Sequence, residues 1–110
     1  MLDLAEICGS KYEIKLVDGK VYKLNRPTQK LYEQIVAIGK LAGEDANEEM
    51  IAQSMKIFTE ILNRNDEGKV FTTEDVEADY DFTVAIMVVG DYMKYYADEI
   101  TNRVNFQVAQ

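Results

Sequence analysis

The stretch that decides the fold is YEIKLVDGKVYKL, residues 12–24. It contains two short runs rich in β-forming residues, Tyr12–Leu16 and Lys20–Leu24. Between them lies Asp18-Gly19, a dipeptide typical of tight turns. Two such runs around a turn signal predict an antiparallel β-hairpin.

The register of this hairpin follows from the positions of its apolar residues. A two-residue turn would pair Ile14 with Lys23 and scatter the apolar side chains over both faces. A three-residue loop with Gly19 in the left-handed conformation pairs Ile14 with Tyr22 instead. It also sets Glu13 opposite Lys23, so that opposite charges face each other. We therefore predict the register of the three-residue loop.

The rest of the chain, residues 28–105, shows the 3.6-residue spacing of amphipathic helices. The predicted N-caps are Thr28, Asn47, Thr72 and Asp81. The first helix should end at Gly43, and the last should run from Phe82 to about Asn105. The expected fold is α+β and mainly helical, one small domain over residues 1–110, with the hairpin at 12–24 followed by three to four helices.

The almost wholly apolar run Val84–Val89 predicts the centre of the core. A helix that is apolar on every side is usually enclosed on every side. We therefore expect this run to be surrounded by the inward faces of the other helices. The residues expected around it are Ile35, Ile38, Met55 and Phe58.

Composition excludes several classes of function. The chain has 110 residues and a net charge of −8, from 20 acidic and 12 basic residues. Such a charge should repel nucleic acid and anionic lipid, so neither is an expected partner. The longest apolar run covers six residues, whereas a membrane span needs roughly 20. A lone Cys8 suits a reducing cytoplasm, and the N-terminus does not resemble a secretory signal.

The sequence contains no recognisable catalytic motif. The chain has no histidine, which removes Ser-His and Cys-His dyads and histidine metal ligands. Its glycines match no phosphate-binding loop. Acidic residues between Glu74 and Asp81 are explained by the helix dipole and by solubility rather than by acid–base catalysis. We expect a protein that is not an enzyme and has no cofactor.

One loop is similar to a calcium-binding EF-hand loop. Residues 63–74 place oxygen-bearing residues at loop positions 1, 3, 5 and 12 and a glycine at position 6. Position 1 is the uncharged Asn63, however, and position 9 is Phe71, which offers no side-chain oxygen. We expect a polar connection that binds no metal, and a calcium-binding module remains the less favoured alternative.

A group of aromatic and methionine residues on the last helix is the candidate partner-binding site. Its members are Tyr92, Met93, Tyr95, Tyr96 and Phe106. Residues 82–105 would form a helix about 36 Å long, and its far end should project past a core of this size. Association with itself or with a helical client would cover these side chains. The alternative, that they pack the core, stays open.

The hairpin sequence, followed by Arg26-Pro27-Thr28 and an amphipathic helix, resembles that of the tail assembly chaperones of long-tailed phages and prophages. The acidic character and overall architecture fit the same family. Recognisable sequence similarity covers residues 12–42.

This resemblance implies a non-enzymatic protein that coats the tape measure protein during tail assembly and helps to recruit tail tube subunits. It also implies a place in the bacterial host cytoplasm and absence from the mature virion. The alternative from a different class is a structural tail or head-tail joining protein. The sequence does not separate these two functions.

Overall fold

The computed structural model describes residues 1, 3, 11–41 and 48–108, and the side chains of these residues except 40–41 and 99–108. Within these ranges a two-stranded hairpin is followed by four helices. The fold is α+β and mainly helical, as predicted. The strands are β1 Tyr12–Lys15 and β2 Val21–Leu24, and the helices are α1 Gln29–Leu41, α2 Glu48–Leu62, α3 Thr73–Asp79 and α4 Phe82–Val108.

The hairpin adopts the predicted register. Ile14 lies opposite Tyr22, and the strands are antiparallel. The Leu16 N–H donates to the Lys20 carbonyl at 3.0 Å, which closes a three-residue loop. Gly19 has a φ of +83°, a left-handed conformation that is costly for other residues. The turn chemistry of the sequence therefore sets which side chains face the core.

Three of the four predicted N-caps are present in the structure. They are Thr28, Thr72 and Asp81, whose side-chain oxygens accept hydrogen bonds from the N–H groups of Leu31, Asp75 and Val84 at 3.1–3.2 Å. These contacts satisfy N–H groups that a helix leaves unpaired at its start. The predicted end at Gly43 and the predicted cap at Asn47 lie outside the described residues.

The core lies between α2, α4 and the inner face of the hairpin. Phe58, Ile61 and Leu62 of α2 are fully buried. Leu24 of β2 and Ala85 of α4 are fully buried as well and belong to the same cluster. The expected core residues Ile35, Ile38, Met55 and Phe58 are all buried.

The expectation that the run Val84–Val89 is enclosed on all sides is wrong. Ala85, Val88 and Val89 are buried, but Ile86 is 37% exposed and Met87 is 66% exposed. Each residue advances 100° around a helix, so six consecutive residues occupy every side of α4. The other described elements cover only one of these sides.

Candidate interaction surface

The hydroxyl of Tyr96 joins α4 to the end of the hairpin. It accepts a hydrogen bond from the Tyr12 N–H at 3.1 Å and donates one to the Leu24 carbonyl at 2.5 Å. Tyr12 and Leu24 are opposite each other in the ladder. The hydroxyl thus bridges two backbone groups at the point where strand pairing ends.

Two neighbouring tyrosines of α4 make similar contacts. The Tyr92 hydroxyl donates to the Asn25 carbonyl at 2.5 Å, and the Tyr95 hydroxyl donates to the Lys11 carbonyl at 3.2 Å. The Tyr92 and Tyr96 rings meet edge to face with their centroids 5.2 Å apart. Such pairs add stability beyond that of burial alone. Together these three tyrosines hold the hairpin against α4.

Burial changes the acidity of these phenols. It raises the pKa of Tyr92 well above its ordinary value, because the phenolate would lose its hydration. Burial also raises the pKa of Tyr96. Burial raises the pKa of Tyr12 too, and its hydrogen bond to the nearby Asp91 carboxylate, 2.6 Å away, adds to this effect. A phenol is already neutral at physiological pH, and the raised pKa values keep these three neutral to more alkaline pH.

The structure does not place the predicted partner-binding residues on one exposed surface. Tyr92 is 0% exposed and Tyr96 is 5% exposed, so the expectation that they project past the core is wrong. Met93 and Tyr95 are partly buried and packed against the core. The structure describes the backbone of Phe106, which belongs to α4, but not its side chain. A role for these residues in partner binding stays a prediction.

The physical reason for this difference is the hairpin. Its strands end in backbone groups that need hydrogen-bond partners, and a tyrosine combines an apolar ring with a hydroxyl that supplies one. Tyr92 and Tyr96 lie on the same side of α4 as Ala85, Val88 and Val89. The hairpin covers their rings and their hydroxyls together.

The opposite side of α4 forms an apolar groove beside β1. We call it the α4 groove and define it by Ile14, Leu16, Val17, Val84, Ile86 and Met87, which line it. The charged residues at this groove are Lys15, Asp91 and Lys94. The described part of the chain leaves the side chains of Val17 and Met87 largely exposed.

The α4 groove adjoins two further hollows, one with a mixed lining that includes Asp18, Lys69 and Asp75 and one with an almost wholly apolar lining. One shares Val17 with it and includes the exposed Val70. The other shares Ile86 with it and includes Met93. We call the apolar residues Val70, Val17, Met87, Ile86 and Met93, which line these three neighbouring hollows, the apolar band. Of these residues, the sequence pattern indicated only Met93 as a partner-binding residue, and it placed Ile86 and Met87 in the core.

Glycines leave the second hollow open. Gly90 of α4 and Gly39 of α1 both line it. A Cβ atom built on either residue would meet no other atom within 4 Å. The absence of side chains here therefore leaves room at the surface rather than allowing two elements of this chain to touch.

The EF-hand-like loop uses its asparagine side chains to hold its own backbone. The Asn63 oxygen accepts from the Phe71 N–H at 2.7 Å, and the Asn65 oxygen accepts from the Lys69 N–H at 3.0 Å. These oxygens occupy the first and third positions of a would-be calcium loop. Within the described residues no group of three or more acidic or cysteine side chains is arranged to hold a metal ion.

Comparisons with family models, curated proteins and solved structures give no match for this chain. Among the helices that the structure describes, none is long and apolar enough to span a membrane.

Proposed function

We propose that this chain is a non-enzymatic tail assembly chaperone that binds the tape measure protein and helps to recruit tail tube subunits. It would act in the bacterial host cytoplasm and be absent from the mature virion. The observation that carries the proposal is the apolar band along α4 and the neighbouring loops, in which Val17, Val70, Met87 and Ile86 remain exposed in the described part of the chain. The resemblance of residues 12–42 supplies the identity of the client.

The shape and chemistry of the band suit a helical client. Met87 and Met93 have flexible, polarizable side chains that adapt to different partner surfaces. Exposed apolar surface that is continuous, rather than scattered, is typical of interaction sites. A client helix with one apolar face would bury Met87 and Ile86 together in the manner of helix-in-groove recognition.

The charge of the chain supports the role of a holding protein. A net charge of −8 makes copies of the chain repel one another at long range. Such repulsion counteracts the association that an exposed apolar band would otherwise promote. A chaperone with this composition resists non-specific aggregation while it offers an apolar surface to its client.

The proposal assigns the predicted site residues to different tasks. Met93, at one end of the band, remains a candidate contact for the client. Tyr92 and Tyr96 hold the hairpin in place beside the α4 groove and act on binding only through that position. Met87 and Ile86 take over the central contact that the sequence pattern assigned to the tyrosines.

The test is co-expression of the chain with a candidate tape measure protein. A Met87→Glu, Ile86→Glu double variant places two charges in the α4 groove at positions that are already exposed, and should no longer keep the client in solution. The matched control is Val36→Glu, because Val36 is 40% exposed on α1 but lies outside the apolar band.

Circular dichroism and size-exclusion chromatography should show that both variants fold. If the folded double variant protects the client as well as the native chain does, the band is not the client site. Detection of the chain in purified virions at a fixed copy number would instead favour a structural tail or head-tail joining protein.

A further inference from the structure

The outer edge of β1 is the side of the hairpin that remains open. The outer edge of β2 is closed, because the Asp66 N–H donates to the Lys23 carbonyl at 3.0 Å and the Lys23 N–H donates to the Glu67 carboxylate at 2.8 Å. These contacts occupy the backbone groups of β2 that point away from β1. No loop plays the same part along the middle of β1 in the described structure.

The direction of each backbone group in β1 follows from alternation along the strand. Leu16 points its N–H toward β2, where it bonds Lys20. The N–H groups of Glu13, Lys15 and Val17 therefore point away from β2. The Val17 N–H confirms this direction, because it donates to the Tyr80 hydroxyl, which lies outside the hairpin, at 3.2 Å.

Two tyrosine hydroxyls limit the open part of this edge. Tyr80 occupies the N–H of Val17 at one end, and Tyr95 occupies the carbonyl of Lys11 at the other. Between them, the outward N–H and C=O groups of Glu13 and Lys15 have no hydrogen-bond partner within the described structure. The open backbone groups therefore belong to two residues, Glu13 and Lys15, with Ile14 between them. We call residues 13–15 the open window.

We propose that this window pairs with the same window of a second copy of the chain. A two-fold axis through Ile14 would set Glu13 of one copy opposite Lys15 of the other, twice. Each such pair exchanges two hydrogen bonds in an antiparallel ladder, so all the open groups of both windows are satisfied. The result is a four-stranded antiparallel sheet whose two central strands pair over residues 13–15 only, because the hydroxyls of Tyr80 and Tyr95 hold the backbone groups on either side.

Charge complementarity favours a second copy over another extended segment. Glu13 and Lys15 are both exposed on the outer face of β1. Charged residues on an edge strand usually discourage pairing with other chains. In this one register, however, each negative side chain faces a positive one, and opposite charges directly across a ladder stabilise it. An unrelated strand would need to carry the matching charges.

The pairing also bears on the apolar surface. A two-fold axis perpendicular to the sheet keeps the inner faces of both hairpins on the same side. The α4 groove lies between that inner face and α4, so the two grooves come to lie side by side across the axis. The pairing itself does not depend on a client, and it is tested on the chain alone.

The first test reverses one charge and then restores the complementarity. Lys15→Glu sets glutamates opposite each other, and it leaves the hairpin unchanged because Lys15 lies opposite the uncharged Val21. We expect it to weaken dimerisation about tenfold or more in sedimentation velocity. Lys56→Glu, an exposed change of equal charge on α2, should have little effect.

The Glu13→Lys, Lys15→Glu, Lys23→Glu variant should dimerise within about threefold of the native chain, since each pair between the copies is then reversed but again complementary. The change at Lys23 keeps opposite charges across the hairpin, where it lies opposite position 13. A native chain that stays monomeric at high concentration would overturn the proposal. Equal weakening of dimerisation by Lys15→Glu and Lys56→Glu would also overturn it. The same holds if the edge of β1 binds an extended client segment and only the monomer does so.

A second measurement does not depend on the folding of the swapped variant. Residues on the two-fold axis of an antiparallel pair approach to about 4.5–5.5 Å between Cα atoms, a distance that a disulfide spans. In a Cys8→Ser background, Ile14→Cys should therefore cross-link two copies on mild oxidation. Val21→Cys, at an exposed position of β2, should not. Cross-linking of both variants to the same extent would contradict a two-fold axis at Ile14.

Discussion

The two sides of α4 both carry large apolar residues but differ in their burial. On one side, Tyr92 and Tyr96 are buried under the hairpin and their hydroxyls bond its backbone. On the other side, Ile86 and Met87 are exposed although they belong to the most apolar run of the chain. A tyrosine packs its apolar ring and also satisfies a backbone group at the end of a strand with its hydroxyl. An aliphatic side chain can only pack, so it is buried only where another element covers it.

The comparison is tested most strongly by removing the ring of Tyr92. Tyr92→Ala should lower the free energy of unfolding by about 3–5 kcal/mol, because it leaves a cavity under the hairpin and removes the hydrogen bond to Asn25. Met87→Ala, on the exposed side, should cost about 0.5 kcal/mol or less. Urea titration followed by circular dichroism measures both. Equal losses would show that the two sides do not differ.

A smaller change removes only the hydroxyl that bridges the strands. Tyr96→Phe should cost about 1–3 kcal/mol, because the Tyr12 N–H and the Leu24 carbonyl both lose their partner. Hydrogen exchange at the Tyr12 amide should accelerate in the folded state. Tyr32→Phe, which alters a half-exposed ring on α1, is the control. Unchanged exchange at Tyr12 in the Tyr96 variant would contradict the bridge.

Alkaline pH should destabilise the packing of the tyrosine side of α4. Burial holds the pKa of Tyr92 above its ordinary value of about 10. Its contribution to stability is therefore complete below about pH 10 and is lost as the pH rises toward the pKa of the folded state. The free energy of unfolding should fall above pH 10, and it should fall less steeply in Tyr92→Phe. Parallel pH profiles for the two proteins would contradict this cause.

The weakest expected effect concerns Ile86. A fully enclosed isoleucine would lose about 2–5 kcal/mol on truncation to alanine. Because Ile86 is exposed on one side, Ile86→Ala should cost only about 1 kcal/mol. The control is Ile61→Ala on α2, which is fully buried and should show the full loss. A loss as large as that of Ile61→Ala would mean that another part of the chain covers Ile86.

Much of the fold follows from local sequence signals. The hairpin register rests on Asp18, Gly19 and the spacing of the apolar residues, all of which lie within thirteen residues of one another in the printed sequence. The caps Thr72 and Asp81 act on helices that begin at the next residue. Such features need no knowledge of distant parts of the chain, and for that reason they are predicted correctly.

Which residues of α4 are exposed depends on tertiary contacts that the sequence does not show. The spacing of Tyr92 and Tyr96 places both on one side of a helix, but whether the hairpin or a partner covers that side depends on tertiary packing. The run around Ile86 and Met87 looks like core because its composition is uniform. Only the geometry, 100° per residue, indicates that some of its members must face away from the core.

The hydroxyl bridge at Tyr96 has a consequence for the order of events during synthesis. Tyr12 and Tyr96 are 84 residues apart, so both strands have left the ribosome long before the bridging residue is made. A two-stranded hairpin on its own is marginally stable in water. The hairpin is therefore translated well before α4 but is held in place only after α4 has been made. If synthesis stops before α4, the strands are still free to pair with a neighbouring chain.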